Sequence, residues 1–408
     1  MKVGILTHYY KSPNYGGVLQ AYALSRVLNG MEGVEGEQIC YDMTSRIENP
    51  DVLISRGAKL RESKPSEVLA KLPGLFSHAS RLLWRKTPFY RKKNACVQAS
   101  LTTRAARFAQ FREKVIPNSG DVFTAQNIGE TNKRYDCFIT GSDQVFNPQG
   151  YDDVFFLDFV RSDKYKFSYA ASVCASKLYK SQERVYREKL ASFDAVSVRE
   201  TKSLPLLSPL SPVSVEQTAD PTLLLDAASW DEIAAPQMFD RPYLFCYFLG
   251  NDKKERKLAC QFARLHDLLL VTIPYVSGAY GASDAKFGQH RVLDAGPAEF
   301  LSLVRHAAYV FTDSFHGVAF SHIFGKQFVA FGRQGAGNMS DRVATLTSFF
   351  GTGSRFCNTR GKRKLSYICA LPQTIYGERE EAFAKLKRQS LRFITENLQK
   401  AREKKYES

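Results

Sequence analysis

What this chain lacks narrows its class before any motif is read. Its eight cysteines, at 40, 96, 137, 174, 246, 260, 357 and 369, include no Cys-x-x-Cys pair. A structural zinc site or disulfide framework is therefore not expected, and buried free thiols are. No His-Glu-x-x-His or comparable ligand spacing occurs, so no metal is expected. No run of about 20 apolar residues exists, which argues against a membrane-spanning helix. The opening Met1-Lys2-Val3-Gly4-Ile5-Leu6-Thr7 lacks the apolar segment and cleavage site of a signal peptide and reads as a first strand. A cytoplasmic location is expected. Helix-turn-helix, zinc-finger and RNA-stacking signatures are missing too, so nucleic acid is not an expected partner.

What is present is a globular chain of 408 residues, 44% hydrophobic, with a formal charge of +16. That length points to two domains of roughly 200 residues. The charge is concentrated. Between Arg56 and Lys114 fifteen Lys and Arg residues face only Glu62, Glu67 and Glu113, and a second basic cluster runs from Lys385 to Lys405. Such a balance implies anionic partners (phosphorylated substrates, an anionic membrane face or nucleic acid) or else a solvated basic surface. The segment Leu75–Trp84 is amphipathic, a pattern that either meets a membrane interface or docks on its own domain.

Strand-like and helix-like patterns alternate, which predicts parallel sheets with covering helices. The first set comprises strands at Val3–Thr7, Gln38–Tyr41, Tyr135–Thr140, Phe167–Ala171 and Ala195–Val198, with helices over Val18–Leu28 and Glu183–Leu190. Residues 50–115 read as a basic helical insertion. The stretch Leu204–Pro212, with three prolines and two serines, marks an approaching boundary. We place the domains at 1–215 and 216–408. The second set has strands at Tyr243–Leu249, Leu268–Ile273, His306–Phe311 and Gln327–Phe331. An amphipathic helix over 378–400 ends it, with Phe383, Leu386, Leu391, Ile394 and Leu398 at helical spacing.

Four polar turns fall where strand ends should converge. Asn14-Tyr15-Gly16-Gly17 precedes a helix, and its paired glycines suit close backbone approach to a ligand. Gly141-Ser142-Asp143-Gln144-Val145-Phe146-Asn147-Pro148 follows a buried strand. There Ser142, Gln144 and Asn147 could bond a hydroxyl-rich ligand, and Asp143 could take a sugar-hydroxyl proton or cap a helix. Ser197-Val198-Arg199-Glu200 ends another strand, and its Arg–Glu pair reads equally as a functional pair or an internal ion pair. Thr312-Asp313-Ser314-Phe315-His316-Gly317 puts a histidine where a strand hands over to a helix, an edge at which ligands bind in open α/β sheets. We take His316 as a proton-transfer residue and His322, inside the apolar helix, as structural.

These segments together resemble the polysaccharide pyruvyl transferases. The resemblance is carried by Asn14-Tyr15-Gly16-Gly17-Val18-Leu19-Gln20-Ala21-Tyr22-Ala23-Leu24, the Gly141–Pro148 turn, Asp220-Pro221-Thr222 and Asp313-Ser314-Phe315-His316-Gly317, in that order. Asn338-Met339-Ser340-Asp341-Arg342 resembles a further family segment, with Arg355 beyond it. Gly17 stands where many relatives have Asp, and Phe146 where many have Trp. The resemblance implies two Rossmann-like domains in a GT-B-like arrangement with a cleft between them. It also implies transfer of a pyruvyl group from phosphoenolpyruvate, with no other cofactor, to a glycan acceptor that is often lipid-linked, forming a cyclic ketal. On that basis His316 is expected to be the acid or base, with Asp143 beside the acceptor. Arg199, Arg342, Ser314 and Gly317 are expected around the donor, and the Asn14, Gly16, Gly17, Ser142, Gln144 and Asn147 groups around the acceptor. The inner face of a membrane, met peripherally, is the expected place of work. A GT-B-type nucleotide-sugar glycosyltransferase is the nearest alternative. A non-enzymatic protein binding anionic lipid or nucleic acid is the alternative of another class.

Overall fold

The computed structural model of the chain describes residues 1–53, 88–276, 283–284, 286–333, 339–376 and 381–407. The amphipathic segment Leu75–Trp84, the basic residues from Arg56 to Lys86 and Asn338 lie outside the described residues. The chain divides into two compact units, the first drawn from 1–53, 108–233 and 379–408, the second from 54–107 and 234–378.

The first unit is built on a seven-stranded sheet whose strands all pair in parallel. In chain order these are β1 (Lys2–Leu6), β2 (Glu35–Tyr41), β3 (Asn118–Phe123), β4 (Cys137–Thr140), β5 (Tyr165–Ala171), β6 (Ala195–Val198) and β7 (Val215–Gln217). Their spatial order is β3-β2-β1-β4-β5-β6-β7. Central strands such as β4 and β5 are buried at every position, which is why they read as unbroken apolar runs rather than alternating ones. Helix α1 (Tyr15–Asn29) follows β1. Helix α2 (Pro88–Lys114) belongs to the second unit up to residue 107, not wholly to the first as expected of the N-terminal insertion. Helix α3 (Lys180–Leu190) comes later. In the last turns of α2 the Phe108 ring lies 4.9 Å from that of Tyr15, and Arg112 donates to the Ser12 carbonyl at 2.9 Å.

The second unit repeats the plan with six parallel strands in the order β10-β9-β8-β11-β12-β13. They are β8 (Tyr243–Tyr247), β9 (Leu269–Thr272), β10 (His290–Arg291), β11 (Tyr309–Thr312), β12 (Gln327–Phe331) and β13 (Phe356–Cys357). Helices α4 (Lys253–Leu265), α5 (Pro297–Arg305), α6 (Phe315–Ile323) and α7 (Met339–Phe349) accompany them. The core of this unit gathers Leu244, Phe248, Phe262, Phe311, Val329 and Phe331. In both sheets the strand order reverses once, between β1 and β4 and between β8 and β11. Ligands of open parallel sheets bind outside the carboxyl ends at such points.

The terminal helix α8 (Glu381–Glu407) packs on the first unit, not the second as its place in the chain led us to expect. Its buried Phe393 ring lies 6.0 Å from Phe167. Asn397 accepts from the Tyr165 hydroxyl at 2.7 Å, Ser390 Oγ accepts from the Ala219 N–H at 2.8 Å, and Lys404 reaches Asp194 at 3.2 Å. A boundary at 215 also cuts β7, and the chain stays with the first unit to residue 233. Trp230 explains why: it is fully buried, with its ring 5.5 Å from Tyr22. No described helix is long and apolar enough to cross a membrane, and the seven described cysteines are free.

Candidate functional sites at two sheet edges

At the first reversal point the ends of β1 and β4 are tied together by one side chain of α1. Gln20 Nε2 donates to Thr7 Oγ1 at 2.9 Å, its Oε1 accepts from the Ser142 N–H at 3.1 Å, and Thr7 Oγ1 donates to the Ser142 carbonyl at 2.8 Å. Ser142 Oγ donates to the Ala170 carbonyl at 2.8 Å. Asp143 follows with a left-handed backbone, φ 65°, and its carbonyl accepts from the Ser172 N–H at 2.8 Å. A non-glycine residue held in that region marks a place where the surroundings over-determine the turn.

Arg199, 4% exposed, joins this edge. Its Nη1 donates to Asp220 at 2.6 Å, its Nε to Glu200 at 3.0 Å, and Nη2 lies 3.8 Å from Asp143. Burial works against the guanidinium charge, and Glu200, Asp220 and Asp143 more than offset it, holding the group above its usual pKa. The residue we expected at the donor is thus engaged by three carboxylates of its own unit.

The groups expected around the acceptor also carry internal bonds. Asn14 caps α1, accepting from the Gly16 N–H at 3.1 Å. Gly17 sits where a Cβ would come within 2.7 Å of the His8 carbonyl oxygen and 3.6 Å of an Asp143 carboxylate oxygen. Asn147 Nδ2 donates to Gln144 Oε1 at 2.8 Å, and its Oδ1 accepts from the Gln149 N–H at 2.9 Å. Phe146, the Trp-like position, stacks on Phe156 at 4.7 Å.

Sequence reasoning missed His8 at this edge. Its ring lies 4.3 Å from that of Phe155. The Nε2 atom is buried with no hydrogen-bond partner among the described residues. Burial lowers its pKa below the usual 6.5, while Asp143, the Gln144 backbone and Asp152 act in the opposite sense. The available signal was its position directly after an apolar strand, the same logic that singled out His316.

At the second reversal point Asp313 closes the loop after β8. Its two carboxylate oxygens accept from the Leu249 and Gly250 N–H groups, each at 2.7 Å. Burial raises its pKa, opposed by Arg333, those two N–H groups and Arg256. Arg333 Nε lies 3.9 Å away. Ser314 caps α6, its Oγ accepting from the Gly317 N–H at 3.4 Å. Gly317 lets the helix start pass close to Thr312, for a Cβ there would meet Thr312 Oγ1 at 2.3 Å. His316 is then held in the first helical turn, 7% exposed, with its ring 5.1 Å from Phe315. Helix α7, which carries buried Arg342, packs beside α6. Arg355 is used by backbone: Nη1 donates to the Phe328 carbonyl at 2.9 Å.

A charged cluster beside Asp313 was also missed. Arg363 bonds Asp252 at 2.7 Å and Glu255 at 2.8 Å, and Arg256 bonds Asp284 at 2.8 Å. Burial, reinforced by Asp313 and Asp252 against Arg363 and Arg256, pushes the Glu255 carboxyl up to about 8. These pairs span up to 111 residues of chain, so no local pattern announces them. No group of three or more His, Cys, Asp or Glu among the described residues is arranged to hold a metal ion.

His322 stacks flat on Phe350, with centroids 3.5 Å apart and planes 2° apart. Burial lowers its pKa from 6.5 to about 4. The unfolded chain therefore takes up this proton at higher pH than the folded one. Stability from this group is complete above pH 6.5 and is lost as pH falls toward 4, by up to about 3 kcal/mol. Thermal melts at pH 7.5 and 4.5 should show a smaller acid shift in His322→Phe than in wild type. Equal shifts would remove the assignment.

A profile of the polysaccharide pyruvyl transferase family matches residues 14–335. No curated protein sequence is significantly similar to the chain. Among solved structures, a putative UDP-N-acetylglucosamine 2-epimerase from Listeria monocytogenes shares 10% identity at a TM-score of 0.49, covering 95% of this chain and 94% of its own. The UDP-GlcNAc 2-epimerase of Neisseria meningitidis shares 10% at 0.45, covering 98% and 100%. A spinosyn rhamnosyltransferase shares 11% at 0.42, covering 98% and 96%. At those scores none of the three bears on function. The family match is of another kind: it begins at the Asn14 cap, takes in the Ser142–Asp143 turn and Arg199, and runs past His316, so this chain belongs to the polysaccharide pyruvyl transferase family.

Proposed function

We propose that the protein transfers the pyruvyl group of phosphoenolpyruvate onto two hydroxyls of a sugar in a cell-surface polysaccharide or its precursor. The observation that carries this reading is His316, buried in the first turn of a helix at a sheet reversal point, inside a chain of this family. A histidine so held is suited to move a proton in a site largely shielded from water.

The chemistry needs few parts. C3 of phosphoenolpyruvate gains a proton as one sugar hydroxyl gives up its own to a base and its oxygen bonds to C2. The phosphate then leaves with its C–O electron pair, and the second hydroxyl closes the ketal, its proton leaving with the phosphate. We assign the C3 proton to His316. Arg342 and Arg333 supply positive charge for the donor's phosphate and carboxylate. Ser314 and Gly317 fix the helix start that holds His316. On the acceptor side we assign Ser142, Gln144 and Asn147 to sugar hydroxyls and Asn14, Gly16 and Gly17 to the shape of the turn. Asp143 orients the acceptor, with Arg199 holding Asp143 in place. The basic residues of α8 favour work at an anionic membrane face on a lipid-linked acceptor.

The test is direct. Purified protein is incubated with phosphoenolpyruvate and lipid-linked or nucleotide sugars, and inorganic phosphate and product mass are followed. Formation of a pyruvyl ketal with one phosphate per turnover is expected. His316→Ala should lower kcat by about 10²–10⁴-fold, and unchanged turnover would remove its role. Release of nucleoside diphosphate in place of phosphate would mean glycosyl transfer instead.

A further inference from the structure

Resting on the pyruvyl-transfer reading, we propose that His8 is a second catalytic residue: its Nε2 takes the proton of the sugar hydroxyl that attacks the donor. Three observations in the first unit converge on this. The Nε2 atom is buried and has no hydrogen-bond partner among the described residues. A buried imidazole nitrogen left without a donor or acceptor is costly, and such orphan atoms in native proteins call for an explanation, a bound reactant among them. The ring is fixed on its face by Phe155 at 4.3 Å. Finally, His8 stands at the carboxyl end of β1, at the reversal point where β1 and β4 part, the place where such sheets take ligands.

The partners of the ring set its protonation. The Gln144 backbone acts on the imidazole to favour its protonated form. With Nε2 the atom left without a partner, the role needs the ring proton on Nδ1, which leaves the lone pair on Nε2. The charged groups facing the ring are the carboxylates of Asp143 and Asp152; both favour the imidazolium formed when the proton arrives. The Asp143 carboxylate lies 3.8 Å from the Arg199 guanidinium, to which it is committed as an ion-pair partner. An imidazole whose Nε2 is unpartnered, with two carboxylates nearby, is placed to accept the proton, and Asp143 becomes a positioning residue. In the step proposed, the hydroxyl O–H bond breaks to Nε2 as the oxygen bonds C2 of phosphoenolpyruvate. The proton on Nε2 then exchanges with solvent before the next turnover.

The experiment has two arms. In the first, ring ¹⁵N NMR of the wild-type chain at pH 7.5 reads the His8 tautomer. A neutral ring protonated on Nδ1 is expected, and a ring protonated on Nε2 would overturn the proposal. In the second, phosphate release from phosphoenolpyruvate is compared for wild type and His8→Gln across pH 5 to 9. Glutamine keeps a polar side chain of similar reach, and a near-unchanged melting temperature checks the fold. The expected kcat loss is about 10²–10⁴-fold, with KM for phosphoenolpyruvate within about threefold. The wild-type rate should also fall with acid below pH 6.5 as His8 gains a proton, and that limb should vanish in the variant. Equal rates, or a surviving acid limb, would overturn the proposal for His8 while leaving pyruvyl transfer intact. Absence of ketal product from wild type would instead remove the pyruvyl-transfer reading, and this role with it.

Discussion

Replacing Arg199 with methionine should destabilise the first unit by about 3–5 kcal/mol. Glu200 and Asp220 bond the guanidinium at 3.0 and 2.6 Å, and Asp143 lies 3.8 Å from it. Arg199 and these three acids are each no more than 5% exposed. Removing the cation leaves three neighbouring carboxylates in a medium that screens them poorly, and each raises the cost of the others. A methionine fills much of the volume, so the loss is electrostatic rather than a cavity. Two consequences separate this account from simple packing. The penalty should shrink as pH falls, because protonating an orphaned carboxylate relieves the repulsion. Adding Asp220→Asn to Arg199→Met should cost less than the sum of the two, since the Oδ1 contacts to the Thr222 N–H and hydroxyl survive as a charge is removed. Urea melts at pH 7.5 and 5 would measure both. A pH-independent loss under about 1 kcal/mol would mean that the cluster is not held by this cation.

The two parallel sheets were legible in the sequence because buried parallel strands are apolar on both faces. Tyr243–Tyr247 and Gln327–Phe331 stand out for that reason, and so does the length of α8, whose Phe383, Leu386, Ile394 and Leu398 recur on one buried stripe. Edge strands were not legible. β10 and β13 have two residues each, and β7 has three partly exposed ones, too few for any periodicity to register. The partner of α8 was hidden for a different reason. An amphipathic stripe states that one face is covered, but the Tyr165–Asn397 bond links residues 232 apart. At the sites, turns that follow strands pointed to Asp143 and His316. They did not disclose which polar side chains are spent within the fold. Asn147 bonding Gln144 is local, but Arg199 bonding Asp220, 21 residues on, and lying against Asp143 depends on long-range geometry. His8 escaped notice because no glycine or acidic residue adjoins it in the chain.

Gly141→Ala should be the most damaging single-atom change at the first edge, at about 4 kcal/mol or more. The residue lies between β4 and the Ser142–Asp143 turn with φ +116°, a region that L side chains rarely adopt, and such strain alone costs about 1–3 kcal/mol. A Cβ there would also lie 2.2 Å from the Tyr169 carbonyl oxygen on the neighbouring β5. That atom is backbone in a central strand and cannot swing aside as a side-chain tip would. Relief requires β4 and β5 to part, or the turn to rebuild, and either displaces Ser142 from Gln20 and Asp143 from Arg199. Stability and activity should therefore fall together in this variant, whereas His8→Gln and His316→Ala should lower activity with the fold kept. Gly150→Ala is the control, since a Cβ at Gly150 meets nothing within 4 Å, and its effect should stay within about 0.5 kcal/mol. Melting temperatures of the two variants side by side would decide the matter. A Gly141→Ala protein as stable as Gly150→Ala would show that the turn is free to relax, and that the position of Asp143 is less fixed than its contacts imply.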